Sequence, residues 1–265
     1  MELIVLLIVG VLLFFYFKYK KKKLRNTVRF LNPEQRAILV NQVVYYQKLD
    51  KKKQQYFEDR IVEFLNEVQI LPYGCTLETA DTMLIAASAI IPVFGFKNWK
   101  YHNLKTIYLF PDAFNTELHY VGNNNGRTIL GMVGHGKLKD KMILSKKALH
   151  HGFENTTDKK NTAIHEFVHL IDMMDGEIDG LPKIIEENPF LLPWFDLMHH
   201  KIAAIDKGKS DINSYGAVSK IEFLAVASEY FFERPKLLKR KHPELYKSLS
   251  SFFSQDLAQP NDTKL

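Results

Sequence analysis

Positions 3–17 are apolar without a charge or a proline, and Lys18, Lys20, Lys21, Lys22, Lys23 and Arg25 follow directly. A helix over the first 19 residues, rising about 1.5 Å per residue, approaches the roughly 30 Å of a bilayer's hydrocarbon core. A cleaved secretory signal carries its positive charge before the apolar run and a small-x-small site after it, whereas here Glu2 precedes and lysines follow. The pattern predicts an uncleaved transmembrane anchor with a basic flank over 1–25. The positive-inside rule then puts the remainder of the chain on the cytoplasmic side of a single-pass protein.

Apolar residues recur at helical spacing over 32–47 and again over 50–68, where Phe57, Ile61, Phe64, Leu65 and Val68 share a face. Two amphipathic helices are predicted there. The alanine-rich, apolar stretch 79–90, ended by Pro92 and Gly95, predicts a buried helix. The texture then changes to short β-branched and aromatic segments at 104–110, 117–121, 127–133 and 141–144. They are separated by Asn-Asn-Asn-Gly at 123–126 and a glycine turn at 134–136. These predict a small, mostly antiparallel sheet and an α+β class. From 158 the helical pattern resumes through 254, with irregular stretches near 176–193 and 206–218; 255–265 is polar, contains Pro260 and predicts a flexible tail.

Composition removes several alternatives. With 46% hydrophobic and 25% charged residues the chain is neither collagen-like nor largely disordered, and its one cysteine, Cys75, excludes an internal disulfide. The formal net charge is +6, but the six cations between Lys18 and Arg25, less Glu2, account for all except +1 of it. The body therefore lacks the broad positive field of a nucleic-acid binder, and no nucleic-acid partner is expected.

The chemistry sits in H-E-x-x-H at 165–169, inside a helical pattern. Residues four apart on a helix face the same way, so His165 and His169 can direct their imidazoles at one metal ion, while Glu166 lies about 100° round and reaches a bound water. Zinc suits such ligands, lowers the pKa of its water and polarises a scissile carbonyl. Chance placement of this chain's histidines and glutamates gives about 0.02 such strings. Ile164, Phe167, Val168, Ile171 and Met174 form an apolar stripe on the adjoining face, Asp158 or Thr157 can cap the start, and Gly176 can end the helix. Asp172 falls on the histidine face, either as a carboxylate that orients an imidazole or as an ordinary acidic residue near a helix end. The run D-G-x-x-D-G at 175–180 lacks the spacing of an EF-hand and reads as a turn. Adjacent histidines, His150-His151 and His199-His200, point to different sides of an element and read as surface or local structural residues.

A catalytic zinc usually has three protein ligands and an open position. Asp175 stands where an extended motif would carry a third histidine, so that pattern is absent. Glu222 and Glu229, on one face of a later helix and about 10 Å apart, are both candidates. Ser219-x-x-Glu222 also reads as a capping box and Glu229 as a partner for a cation, and the pattern favours neither.

The blocks M-I-L-S (142–145), H-E-F-V-H-L-I-D-M-M-D-G-E-I-D-G-L-P (165–182) and E-F-L-A-V-A-S-E-Y-F-F (222–232) resemble the Mlc titration factor A family of zinc peptidases. The catalytic part of that family is similar to anthrax lethal factor, and the likeness runs from about 60 to 250. It implies a zincin-like metallopeptidase domain, with Glu222 as third zinc ligand and Tyr215, seven residues earlier, helping to stabilise the transition state. A phenol suits that role because it donates a hydrogen bond to the developing oxyanion. The anchor lies outside the resemblance, so the soluble setting of the family's best-known members is not carried over.

The organisation expected is an anchor over 1–25, a zinc metallopeptidase domain over 26–254 and a flexible tail over 255–265. The expected activity is hydrolysis of a peptide or protein substrate, with aminopeptidase action the candidate specificity. His165, His169 and Glu222 bind Zn2+, Glu166 moves the proton, Tyr215 steadies the oxyanion, and a strand over 127–133 pairs with an extended substrate. The rival from another class is a regulatory binding protein that sequesters a partner such as a transcriptional repressor, with hydrolysis incidental. Intact Glu166 and Tyr215 lean toward the enzyme, since a pure binder needs neither.

Overall fold

The computed structural model describes residues 29–114, 129–134, 139–175 and 191–258. The chain separates into two units, Met1–Phe30 and Leu31–Leu265, and the elements below belong to the second. The anchor expected over 1–25 lies outside the described residues. So do the strand expected at 117–121, the asparagine turn at 123–126, and most of the glycine turn at 134–136 and of the aspartate-glycine run at 175–180. Among the described residues no helix is long and apolar enough to cross a membrane.

Asn32 opens α1 (Pro33–Gln42) with a capping box: its side chain accepts from the Gln35 amide, and Gln35 Oε1 accepts from the Asn32 amide. The single helix expected over 32–47 breaks at Val43 (φ −105°, ψ 91°), and α2 (Val44–Gln47) starts afresh. The break places Val43 in the core and turns Tyr46 inward, where its hydroxyl donates to Glu58 Oε1 on α3 (Lys51–Glu67) at 2.7 Å. Burial and a buried hydrogen bond outweigh the local helical preference there. Buried helix α4 (Thr79–Val93) runs through Pro92 instead of stopping before it. Its last carbonyls are met from outside, since Gln255 Nε2 donates to the Ile91 carbonyl at 2.9 Å. Residues 255–258, expected as the start of a loose tail, therefore pack: Gln255 is buried and also accepts from the Tyr45 hydroxyl at 2.6 Å.

Among the described residues the sheet has four strands, β1 (Gln69–Pro72), β2 (Thr106–Phe110), β3 (Gly131–Val133) and β4 (Lys141–Ser145), in the order β1-β2-β4-β3. Pairings β1–β2 and β2–β4 are parallel and only β3–β4 is antiparallel, so the expectation of a mostly antiparallel sheet is corrected. The chain crosses from β1 to β2 by way of α4, the kind of connection that parallel neighbours require. Strand β1 escaped the sequence pattern because it is four residues long, follows α3 with one intervening residue and ends in a proline. Helix α5 (Lys146–Glu154), capped by Ser145, was likewise not expected.

The remaining helices are α6 (Thr162–Asp172), which passes into a 3₁₀ turn at Met173–Asp175, then α7 (Leu191–Asp206), α8 (Lys220–Glu233), α9 (Pro235–Lys241) and α10 (Pro243–Phe252). A second 3₁₀ turn, Ser214–Ala217, precedes α8. α6 packs against α4, α8 and β3, and its predicted stripe of Ile164, Phe167, Val168 and Ile171 is buried. Phe167 meets Phe64 edge-on at 5.8 Å and Tyr101 at 5.3 Å, so the helix is held on the side away from its histidines. Phe167→Ala should cost about 3–5 kcal/mol of unfolding free energy in chemical denaturation. A loss below about 1 kcal/mol would show that α6 is anchored elsewhere.

Candidate metal centre

α6 begins at Asn161, not at Thr157 or Asp158. Asn161 is extended (φ −140°, ψ 90°), and its Oδ1 accepts from the Ile164 amide at 3.1 Å. Asp158 is used elsewhere, meeting His151 Nε2 at 2.9 Å and the Lys160 amide at 3.1 Å. From this start, the four-residue spacing brings the His165 and His169 rings to 4.6 Å between centroids and nearly perpendicular, at 87°.

α8 supplies the facing carboxylates. Ser219 Oγ accepts from the Glu222 amide at 3.1 Å, as the capping motif predicted. The Glu222 side chain, however, turns to the histidines: Oε2 lies 2.9 Å from His165 Nε2 and 3.5 Å from His169 Nε2. One nitrogen of each histidine and one oxygen of Glu222 all lie within 4.8 Å of one another. Glu229, two turns further along α8, stands behind this group. Its Oε1 is 2.7 Å from His165 Nδ1 and its Oε2 accepts from the Asn161 amide at 2.6 Å. A carboxylate at Nδ1 fixes the imidazole tautomer so that the Nε2 lone pair points forward. The two glutamates that the helical pattern left as equals are thus distinguished by which histidine nitrogen each faces.

Burial works against a charged His165, yet the hydrogen bonds to Glu222 and Glu229 push its pKa up to about 10. Burial likewise opposes charge on Glu222, and the two histidines hold it well below the usual carboxylate range. The two carboxylates thus favour positive charge in the space between them. Two imidazole nitrogens and a carboxylate oxygen converging around a cationic position form a donor set that fits a divalent ion of zinc's preferences.

Glu166 is buried, and burial first of all pushes its carboxyl above the ordinary value, against the pull of His169 and His165. Strand β3, last in the order among the described residues, passes directly over it. A Cβ at Gly131 would fall 2.6 Å from Glu166 Cγ, so the strand approaches this closely only as glycine. Sequence reasoning missed Gly131, although glycine inside a strand is a known mark of close approach.

Tyr215 sits in the 3₁₀ turn before α8, 40% exposed, with its hydroxyl donating to Glu222 Oε1 at 3.3 Å and its ring 6.1 Å from that of His165. The loop carrying it is tied down by Asp211, also missed from sequence. Asp211 accepts from the Tyr230 hydroxyl at 2.8 Å and Lys241 at 3.0 Å, contacts His242 Nε2 at 2.8 Å, and is reached by Lys159. Asp172 is buried at the end of α6, but the carboxylate that meets the second nitrogen of His165 is Glu229. His150 pairs with buried Asp81 at 2.6 Å, while His199 and His200 lie exposed on α7.

Known proteins are similar to this chain over most of its length. Mlc titration factor A of Serratia proteamaculans is 26% identical over 220 residues, covering 78% of this chain and 82% of that protein. The same-named protein of Pectobacterium atrosepticum is 24% identical over 212 residues, covering 73% and 76%. The uncharacterized protein slr2042 of Synechocystis is 29% identical over 238 residues, covering 85% of each chain. A family model described as glucose-regulated metallo-peptidase M90 matches residues 16–254. The match takes in both histidines, Glu166, Tyr215 and both α8 glutamates, and the chain belongs to the glucose-regulated metallo-peptidase M90 family.

Proposed function

We propose that the domain is a zinc-dependent peptidase in which His165, His169 and Glu222 hold the metal, and that the apolar segment within 1–25 tethers it to a membrane. The observation that carries the peptidase reading is the position of Glu222, facing Nε2 of both histidines while Glu229 locks His165 from behind. Zinc bound there would bring the pKa of a water toward neutrality and polarise a peptide carbonyl. Glu166 takes the proton of the attacking water and delivers it to the leaving amine, a task that suits a buried carboxyl of raised pKa. Tyr215, exposed to the substrate side, donates a hydrogen bond to the oxyanion. β3 lies at the end of the strand order beside Glu166, where an extended peptide can add to the sheet. The second reading rests on the name of the curated relatives, Mlc titration factor A: the same surface binds a regulatory protein and hydrolysis is incidental.

Four substitutions separate ligand from catalyst. Glu222→Ala should abolish stoichiometric zinc, and Glu229→Ala should weaken zinc by about 10–100-fold through loss of imidazole orientation. Glu166→Gln and Tyr215→Phe should both keep zinc, the first nearly abolishing peptide hydrolysis and the second reducing turnover by about 10²-fold or more. Metal content and rate are measured on the same preparations. Full zinc in Glu222→Ala would overturn the ligand set, undiminished cleavage by Glu166→Gln would overturn the proton transfer assigned to Glu166, and no cleavage by the zinc-loaded parent would leave the binding-protein reading.

Gly131→Ala forces either β3 or the Glu166 side chain to move. It should retain zinc while lowering turnover, and a rate equal to the parent's would show that the close approach has no part in catalysis.

The anchor predicts that the full chain sediments with membranes and stays there in high salt, since apolar burial outlasts screened lysine–headgroup attraction. Release by salt alone would defeat it.

A further inference from the structure

Besides the metal centre, the domain holds a cavity of about 780 Å³ whose wall includes none of His165, Glu166, His169, Tyr215 or Glu222. That volume lies within the roughly 300–1,000 Å³ usual for small-molecule sites. Its wall is apolar at Val43, Val44, Leu49, Ile91, Phe153 and Leu237, and cationic at Lys48, Lys53, Arg234, Lys236 and Arg240.

Three acidic residues also line it, and their partners decide the balance of charge. Asp50 lies 3.8 Å from Lys53, and Asp256 accepts from the Tyr246 hydroxyl. Glu233 accepts from the Lys160 amide at 3.0 Å through one oxygen, while the other is buried without a hydrogen-bond partner among the described residues. Burial, then the charges of Asp158 and Glu229, push Glu233 up to about 8, so its charged form is disfavoured there. Arg234 donates to the Thr157 carbonyl at 3.2 Å. Lys48, Lys236 and Arg240 make no ion pair among the described residues. Partial burial of the Lys48 ammonium, then the neighbouring charge of Lys236, disfavours its charged form, although the residue as a whole is exposed.

We propose that this cavity binds a small amphipathic anion, its phosphate or carboxylate head held by Lys48, Lys236 and Arg240 and its hydrocarbon body lying on Val44, Phe153 and Leu237. A neutral apolar ligand would make no use of the three cations, and a free inorganic anion would leave the apolar wall wet. Asn161 and Ile164 belong to the same wall, so the occupant lies against the first turn of α6. The Asn161 amide is bonded to Glu229, which in turn meets His165.

The test is calorimetric titration of the full chain, reconstituted in phosphatidylcholine nanodiscs, with hexyl phosphate. Saturable one-to-one binding is expected, at least about tenfold tighter than that of inorganic phosphate, which lacks the body, or hexyl glucoside, which lacks the charge. The combined variant Lys48→Gln, Lys236→Gln, Arg240→Gln alters exposed positions only. Val44→Trp instead fills the cavity and keeps the cations. Each should weaken binding about tenfold or more with the circular dichroism spectrum unchanged. No saturable binding of hexyl phosphate, or affinity that both variants leave intact, would overturn the proposal. Discs doped with phosphatidic acid identify the source of the head group: weaker hexyl phosphate binding there assigns it to a bilayer lipid, and unchanged affinity assigns it to a soluble anion.

Discussion

One buried carboxylate, Glu229, joins the start of α6 to the middle of α8. One of its oxygens takes the Asn161 amide, which belongs to the orphan donors at a helix start, and the other takes Nδ1 of His165. Removing it would strand a buried amide and a buried imidazole together, the kind of loss that costs several kcal/mol. The same contact therefore fixes where α6 begins, how its first histidine is turned, and which side of α8 faces it. Glu222 reaches both Nε2 atoms because Glu229, seven residues on, has already set the relation of the two helices.

Around that contact, each group with a chemical task is held by a neighbour that has none. Gly131 lets β3 lie against Glu166, and a buried carboxyl in such a low-dielectric place keeps its proton more readily than one in water. Asp211 gathers Tyr230, Lys241, His242 and Lys159 onto one carboxylate and so pins the segment that ends in Tyr215. Phe167 anchors the apolar face of α6 between Phe64 and Tyr101. The site is thus built on rigid elements, with only Tyr215 substantially exposed among the residues assigned chemistry.

Sequence by itself determined α6, its apolar stripe and the common orientation of His165 and His169, because a helix's 3.6-residue repeat relates residues three and four apart without help from the rest of the chain. It also offered the segment around 222–229 as the source of a third carboxylate, and the block resemblance there pointed to the family. The helices at 51–67 and 79–93 were legible for the same local reason.

Tertiary structure alone decided the rest. The contacts that separate Glu222 from Glu229 span 57 and 64 positions of the chain, and on α8 itself both lie on one face. The cap of α6 went to Asn161 because its amide and side chain meet Glu229, Gly152 and Ile164 at once, a combination no local pattern contains. Val43 broke a helix to enter the core, and Gln255 left the expected tail to close α4. Strand direction was equally beyond reach: short β-rich segments with turn residues between them look the same whether they pair as antiparallel hairpins or, as β1 with β2 and β2 with β4 do, in parallel, the first pair through a crossover that buries α4. Local periodicity fixes which face a residue occupies, and long-range packing fixes what that face meets.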